Sequence, residues 1–431
     1  MTTLRRATLV GCLAASVIPA SAFAQATPEC SAAGSDCIRD NDVENAFCTD
    51  APLTSYLVNA LFPVTSNPNN VPTIPRSKVF VPASQRAGLN PKRIVVFGDL
   101  FAMDKDTPAF VAPEVRSLFA SADLILGNIE APVTLYNGVL EDSGNQFLNF
   151  HANVAYLDSA LTQFCMDPSK TVLTVANNHS GDKNRWEETW KSQDWMKKQT
   201  QARPTLVGVH DTSASAEIEV KNVGGLKVGI VGWTHLQNSA AQFYKGTTWQ
   251  PSRQVTRATD WSSRKQALGL NMLIGLPHWD CQWHWFPQPY TVRTTDALHD
   301  KGFDLIAGSH PSVLQPGKLF PGVDRDLAFY SLGHLNAVGS VGTQFLAIAV
   351  EIVVDQRGNT LQYTLRPLVV RKLGTGKELM LPANTGCSSI PDKSRPTNLD
   401  IVPLETLKNG TSLERVNYSL FNDHLDKVFP K

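Results

Sequence analysis

From residue 92 onward the chain alternates short, continuous apolar runs with longer segments of mixed polarity. The runs are RIVVF (93–97), DLILG (123–127), TVLTVA (171–176), LVGV (206–209), KVGIVGW (227–233), LNMLIGL (270–276) and DLIAGS (304–309). Helical patterns fall between them at 112–121, 153–165, 184–200, 259–268 and 291–301. Runs apolar at every position, rather than at every second one, predict strands covered on both faces. Alternation with helices predicts a largely parallel sheet in an α/β domain. Past residue 325 the rhythm changes to LAFYSLG (327–333), then FLAIAVEIVVD, the turn QRGN and TLQYTLRPLVV over 345–370. The last two runs predict an antiparallel hairpin. A helix is expected near 411–428.

Composition divides the chain further. Hydrophobic residues make up 42%, enough for a sizeable core. Segment 25–90 is rich in Pro, Ser, Asn and Thr and reads as an extended, Cys-bearing lead-in. The expected organisation is a signal peptide at 1–24, the lead-in at 25–90, one domain at 91–371 and a tail with a terminal helix at 372–431. Lys+Arg and Asp+Glu are equal at 39 each, so no net field favours nucleic acid as a partner.

The first 24 residues have the layout of an export signal: MTTLRR, an apolar ATLVGCLAASVIPA, and small residues before Gln25. Lipidation at Cys12 is the rival reading, with few apolar residues ahead of it. The mature chain is expected to be exported and soluble, periplasmic or extracellular. It would carry six cysteines, Cys30, Cys37, Cys48, Cys165, Cys281 and Cys387. With no CxxC pair to favour zinc, disulfides are expected.

Ligands of α/β sheets collect at the carboxyl ends of strands. Here those ends bring Asp99, then Asn128 and Glu130, then Asn178 and His179, then His278 and Asp280, then His310. One polar strand end is ordinarily a turn residue. Five together, all oxygen or imidazole donors, point to a site for Zn, Mn or Fe.

The segments GD (98–99), GNIEAP (127–132), ANNHSGD (176–182), PHWD (277–280), AGSHPSVLQP (307–316) and FYSLGH (329–334) occur in an order that resembles the bacterial capsule-synthesis family CapA. That family's domain is similar to calcineurin-like metallophosphoesterases. The resemblance implies a metallophosphatase-like αββα sandwich with mostly parallel sheets, closed by the antiparallel hairpin. It implies a role with capsular polymer or poly-γ-glutamate, beside a capsule-synthesis membrane complex. It also implies that Glu130, Asn178, His278 and His310 hold a divalent ion while His179 serves the leaving group. Asn128 competes with Glu130 as the bridging ligand, and Asn177 reads as a turn-former.

The chain also departs from that pattern. HPS stands where the family has HPH, so Ser312 replaces a metal-ligand position, and SLGH stands where SLGN is usual. Asp99 and Glu130 would then be short of a partner, with His334 or His284 as substitutes, and one ion per chain is expected. The stretch HWDCQWHWFPQPY (278–290) is either a stacking platform for polymer or a hydrophobic plug. Asn128, Asn177, Trp279, Asp280 and His334 are candidate substrate contacts. Two functions stay open: a hydrolase using metal-activated water, and a non-catalytic polymer-binding accessory.

Overall fold

Strand β1 (Lys92–Phe101) sends its side chains in two directions. Ile94 and Val96 enter a core that strands of a second sheet also line, while Val95 and Phe97 enter a core lined by helices. That is the period-2 alternation of a strand buried on both faces. This computed structural model describes residues 64–67, 70–101, 110–135, 152–180, 186–210, 217–235, 248–249, 255, 259–322, 325–336, 346–372 and 399–431. The expected export signal and Cys30, Cys37, Cys48 and Cys387 lie outside them.

The remaining strands used below are β2 (Leu124–Glu130), β3 (Thr171–Thr174), β4 (Leu226–Thr234), β5 (Met272–His278), β6 (Leu305–Ala307), β7 (Leu327–Leu332), β8 (Leu346–Val354) and β9 (Thr360–Lys372). The first sheet runs β9-β8-β1-β2-β3 and continues beyond β3 into Thr205–Val207. β1, β2, β3 and Thr205–Val207 are parallel, whereas β8 pairs antiparallel with both β1 and β9. The second sheet has β4, β5, β6 and β7 in parallel order, with an antiparallel strand at each edge. Where the sheets touch, a Cβ on Gly232 would lie 2.4 Å from Thr174 Oγ1, so only glycine fits.

Helices α1 (Pro113–Ala120) and α2 (Val154–Phe164) cover the first sheet, with Phe97, Phe119 and Phe164 in successive edge contacts. The Asn153 side chain starts α2 by accepting the Tyr156 N–H. α3 (Trp186–Lys197) adds the buried Met196 to the same core. α4 (Trp261–Ala267) and α5 (Pro289–Asp300) contribute Trp261 and Leu298 to the core of the second sheet. The fold is an αββα sandwich, with parallel strands along one side of the first sheet and through the centre of the second.

The apolar rhythm taken alone suggested a single sheet, whereas the described residues form two large ones. Strand identity is local, but partner choice is not: β4 follows Thr205–Val207 in sequence yet pairs with β5. The C-terminal hairpin forms as the turn QRGN suggests, but it lies inside the first sheet, with β8 against β1. Both flanking segments join the domain. Ser77–Val79 pairs with β9, and Val64 exchanges backbone hydrogen bonds with Trp283 and Trp285. α6 (Ser412–Val428), opened by a Thr411–Glu414 capping box, buries Phe421, Leu425 and Val428.

Candidate metal centre

Two sets of parallel strands end at one place, and the side chains there are shielded from water. His278, the last residue of β5, is fully buried and lies amid the other donors. Its Nδ1 is 2.9 Å from Ser309 Oγ. Its Nε2 is 2.8 Å from Asn178 Oδ1 and 3.0 Å from His310 Nδ1. One ring nitrogen carries at most one proton, and an amide oxygen and a second imidazole nitrogen both crowd it. Glu130 Oε1 lies 3.9 Å from the same nitrogen and 3.8 Å from His179 Nε2.

Asp99 builds the other side. Its Oδ1 accepts from Asn128 Nδ2 at 2.7 Å and its Oδ2 from the His310 backbone N–H at 3.2 Å. The His334 Nε2 stands 3.9 Å from Asp99 Oδ2. The backbone enforces this approach, because Asp99 N–H donates to Gly333 O and Leu335 N–H donates to Asp99 O. A Cβ on Gly98 would sit 2.0 Å from Gly333 O, so β1 can come this close only with glycine there.

Donor atoms of Glu130, His278 and His310 lie within 4.8 Å of one another, as do those of Asp99, Glu130 and His334. Glu130 belongs to both groups, so a carboxylate stands where two cation positions would meet. Asn128 has no such freedom: its Nδ2 is given to Asp99 and its Oδ1 accepts from Asn177. Asn177 works from behind. Its side chain donates to Asn128 Oδ1 and Ile129 O and accepts the His179 N–H.

Burial sets the charges. It pushes the Asp99 carboxyl up to about 6, against the opposing pull of hydrogen bonds from Asn128 and His310. It drives His310 and His334 down to about 3 and His278 well below the ordinary imidazole value, with neighbouring histidines adding to the shift at His278 and His310. Neutral imidazoles beside carboxylates make a donor set suited to a divalent cation.

Other candidates are not brought to the centre. Trp279 is 0% exposed and its indole donates to Tyr330 O, so it is core and not a stacking platform. Asp280 accepts from the Cys281 and Gln288 N–H groups and from Gln315, which makes it the clamp of the 280–288 loop. Ser312 donates to His310 O, and His284 pairs with Gln288. Two contributors were missed in sequence. Ser309 orients His278, and Asn336 holds both backbone groups of Phe101, whose ring lies 4.5 Å from the His334 ring. "GSHP" displays Ser309 openly, but nothing local links Asn336 to Phe101.

Residues 93–337, more than half of the chain, match the family model described as bacterial capsule synthesis protein PGA_cap. The chain belongs to this family. The PGA_cap span takes in every donor from Asp99 to His334 and stops before β8. Among curated relatives, the PGA biosynthesis protein CapA of Bacillus subtilis (strain 168) is 24% identical over 226 residues, covering 51% of this chain and 54% of that protein. The capsule biosynthesis protein CapA of Bacillus anthracis is 26% identical over 234 residues, covering 52% and 53%. The chain thus spans about half the length of the curated PGA_cap relatives it matches. A solved phosphatase from Mycoplasma pneumoniae covers 65% of this chain and 94% of its own at 13% identity, with a TM-score of 0.37. That likeness is too distant to add to the fold described above.

Proposed function

We propose that this PGA_cap protein is an exported, metal-dependent hydrolase of the phosphoester class, acting on capsular polymer or its precursors. The observation that carries the reading is the crowding at His278 Nε2. An amide oxygen and a second imidazole nitrogen lie within 3.0 Å of it, in a buried place that also holds Glu130. An amide oxygen, two imidazoles and a carboxylate gathered in one buried place form a donor set that a cation would organise. Glu130, Asn178, His278 and His310 would hold the ion, of the Mn, Zn or Fe class. When bound, it supplies Lewis-acid polarisation and lowers the pKa of a water.

The chain's own groups supply the rest. His179 delivers a proton to the leaving oxygen, with its position fixed by the Asn177 side chain on its backbone N–H. Ser309 holds His278 by the nitrogen facing away from Asn178. The surrounding walls exclude water and strengthen each electrostatic contact.

The polymer class comes from the relatives' names, PGA and capsule biosynthesis, and makes poly-γ-glutamate the first substrate-linked polymer to try. Work beside a capsule-synthesis membrane complex belongs to the same proposal. Export rests on the layout of residues 1–24, and the proposal takes the six remaining cysteines to pair as disulfides. Among the described residues, no helix is long and apolar enough to cross a membrane. The polymer-binding accessory reading loses its stacking platform with the burial of Trp279. The test is turnover of phosphodiesters and γ-glutamyl amides by metal-loaded protein. Hydrolysis that needs metal and His179 supports the reading, and polymer binding without turnover of either substrate sinks it.

A further inference from the structure

We infer that His334 would hold a second divalent cation together with Asp99 and Glu130, in place of the donor that Ser312 removes. This deepens the hydrolase reading and rests on it only for the location of the first ion. The starting point is an imidazole with nothing to do. His334 is 5% exposed, and among the described residues neither Nδ1 nor Nε2 has a hydrogen-bond partner. Buried polar groups in folded proteins are almost always paired, and an exception calls for a cause.

The separation from Asp99 indicates the cause. At 3.9 Å, His334 Nε2 and Asp99 Oδ2 are too far apart for a hydrogen bond. Two ligands of one tetrahedral ion, each bonded at roughly 2.1 Å, stand about 3.4 Å apart. The gap is therefore near that of co-ligands, and Glu130 lies within 4.8 Å of both donors.

Nor is the ring free to turn away toward another partner. Gly333 and Leu335 are both hydrogen-bonded to the Asp99 backbone. Phe101 packs 4.5 Å from the ring, and Asn336 fixes Phe101 through its N–H at 2.7 Å and its C=O at 2.9 Å. The frame holds an imidazole against a carboxylate pair, and no described residue hydrogen-bonds to it.

Sequence had left this group short because of Ser312, whose hydroxyl donates to His310 O and accepts from Gln282. The structure supplies the third donor from a different strand end, after β7. His284, the other substitute weighed, pairs with Gln288 and belongs to neither donor group.

The test uses the full chain stripped with chelator and reloaded with Mn²⁺, read by elemental analysis and electron paramagnetic resonance. Wild type is expected to hold two ions per chain and to give an exchange-coupled spectrum. His334→Ala is expected to hold one ion and to give an uncoupled signal, while His284→Ala matches wild type. His334→Gln, with a donor of similar reach, serves if the alanine variant fails to fold, and should weaken the second binding step at least tenfold. A wild type that saturates at one ion overturns the inference, as does a folded His334→Ala that still binds two. Two ions with no turnover would leave the second site standing and remove the hydrolase reading. Turnover with one ion, unchanged in His334→Ala, would do the reverse.

Discussion

Asn177 accepts the backbone N–H of His179 on its side-chain oxygen at 3.0 Å. The same amide donates to Asn128 Oδ1 and Ile129 O, so it ties the loop after β3 to the end of β2. The residue that shapes the turn also aims the candidate acid.

Asn177→Ala should therefore cost stability and catalysis together. Leaving buried partners unsatisfied costs about 1–3 kcal/mol, to be read as a lower denaturant midpoint with an unchanged slope. Metal content should fall less than turnover, since the Asn177 side chain bonds to the His179 N–H and to Asn128. An unchanged midpoint would contradict the bracing role.

His179 and His310 should separate catalysis from binding. His179→Ala is expected to keep its metal and lose roughly 10²–10⁴-fold in turnover, the usual worth of general acid–base help. His310→Ala should lose metal affinity, because its Nδ1 is part of the cluster around His278. Elemental analysis beside kinetics decides it, and loss of metal in His179→Ala would move that residue into the ligand set.

Metal should also stabilise the fold. An ion that binds only the native state adds about 2.7 kcal/mol at a free concentration 100 times its dissociation constant. Chelation should lower Tm in wild type and lower it less in His310→Ala, which keeps only the Asp99, Glu130 and His334 donor group intact. Equal shifts in both proteins would place the ion elsewhere.

How much of this was legible follows from where each residue's partners lie. Asp99, Glu130, Asn178, His278 and His310 end apolar runs, and a strand end is visible in one sequence. The sequence offered His334 and His284 as alternative partners for Asp99 and Glu130 without deciding between them, because the deciding contact joins the ends of β1 and β7, strands of different sheets. No local period encodes that meeting. Trp279 stayed undecided in sequence for the same reason. Platform and plug have one sequence, and the Tyr330 carbonyl that receives its indole comes from β7. The two-sheet division escaped the apolar rhythm because every strand in it looks equally buried.

Acid sensitivity has a source away from the centre. His424 on α6 stacks on Trp285 at 3.7 Å and pairs through Nε2 with Leu314 O. Burial lowers its pKa from 6.5 to about 3, so between those values the unfolded chain takes up a proton that the folded chain refuses. Its contribution is present above pH 6.5 and is lost as pH falls toward 3. His424→Gln should flatten this part of the stability profile, so that the gap between variant and wild type changes steadily with acidification. Parallel profiles would contradict the assignment.

The central claim is that the strand-end donors form a working hydrolytic metal centre. Its most direct measurement is the rate of phosphodiester hydrolysis by Mn²⁺-loaded wild type, before and after chelation, beside His179→Ala with its metal content verified. The account predicts turnover that vanishes with the metal, returns on reloading, and falls at least a hundredfold in the metal-replete variant. A fully loaded wild type with no turnover, or a variant as fast as wild type, would contradict it.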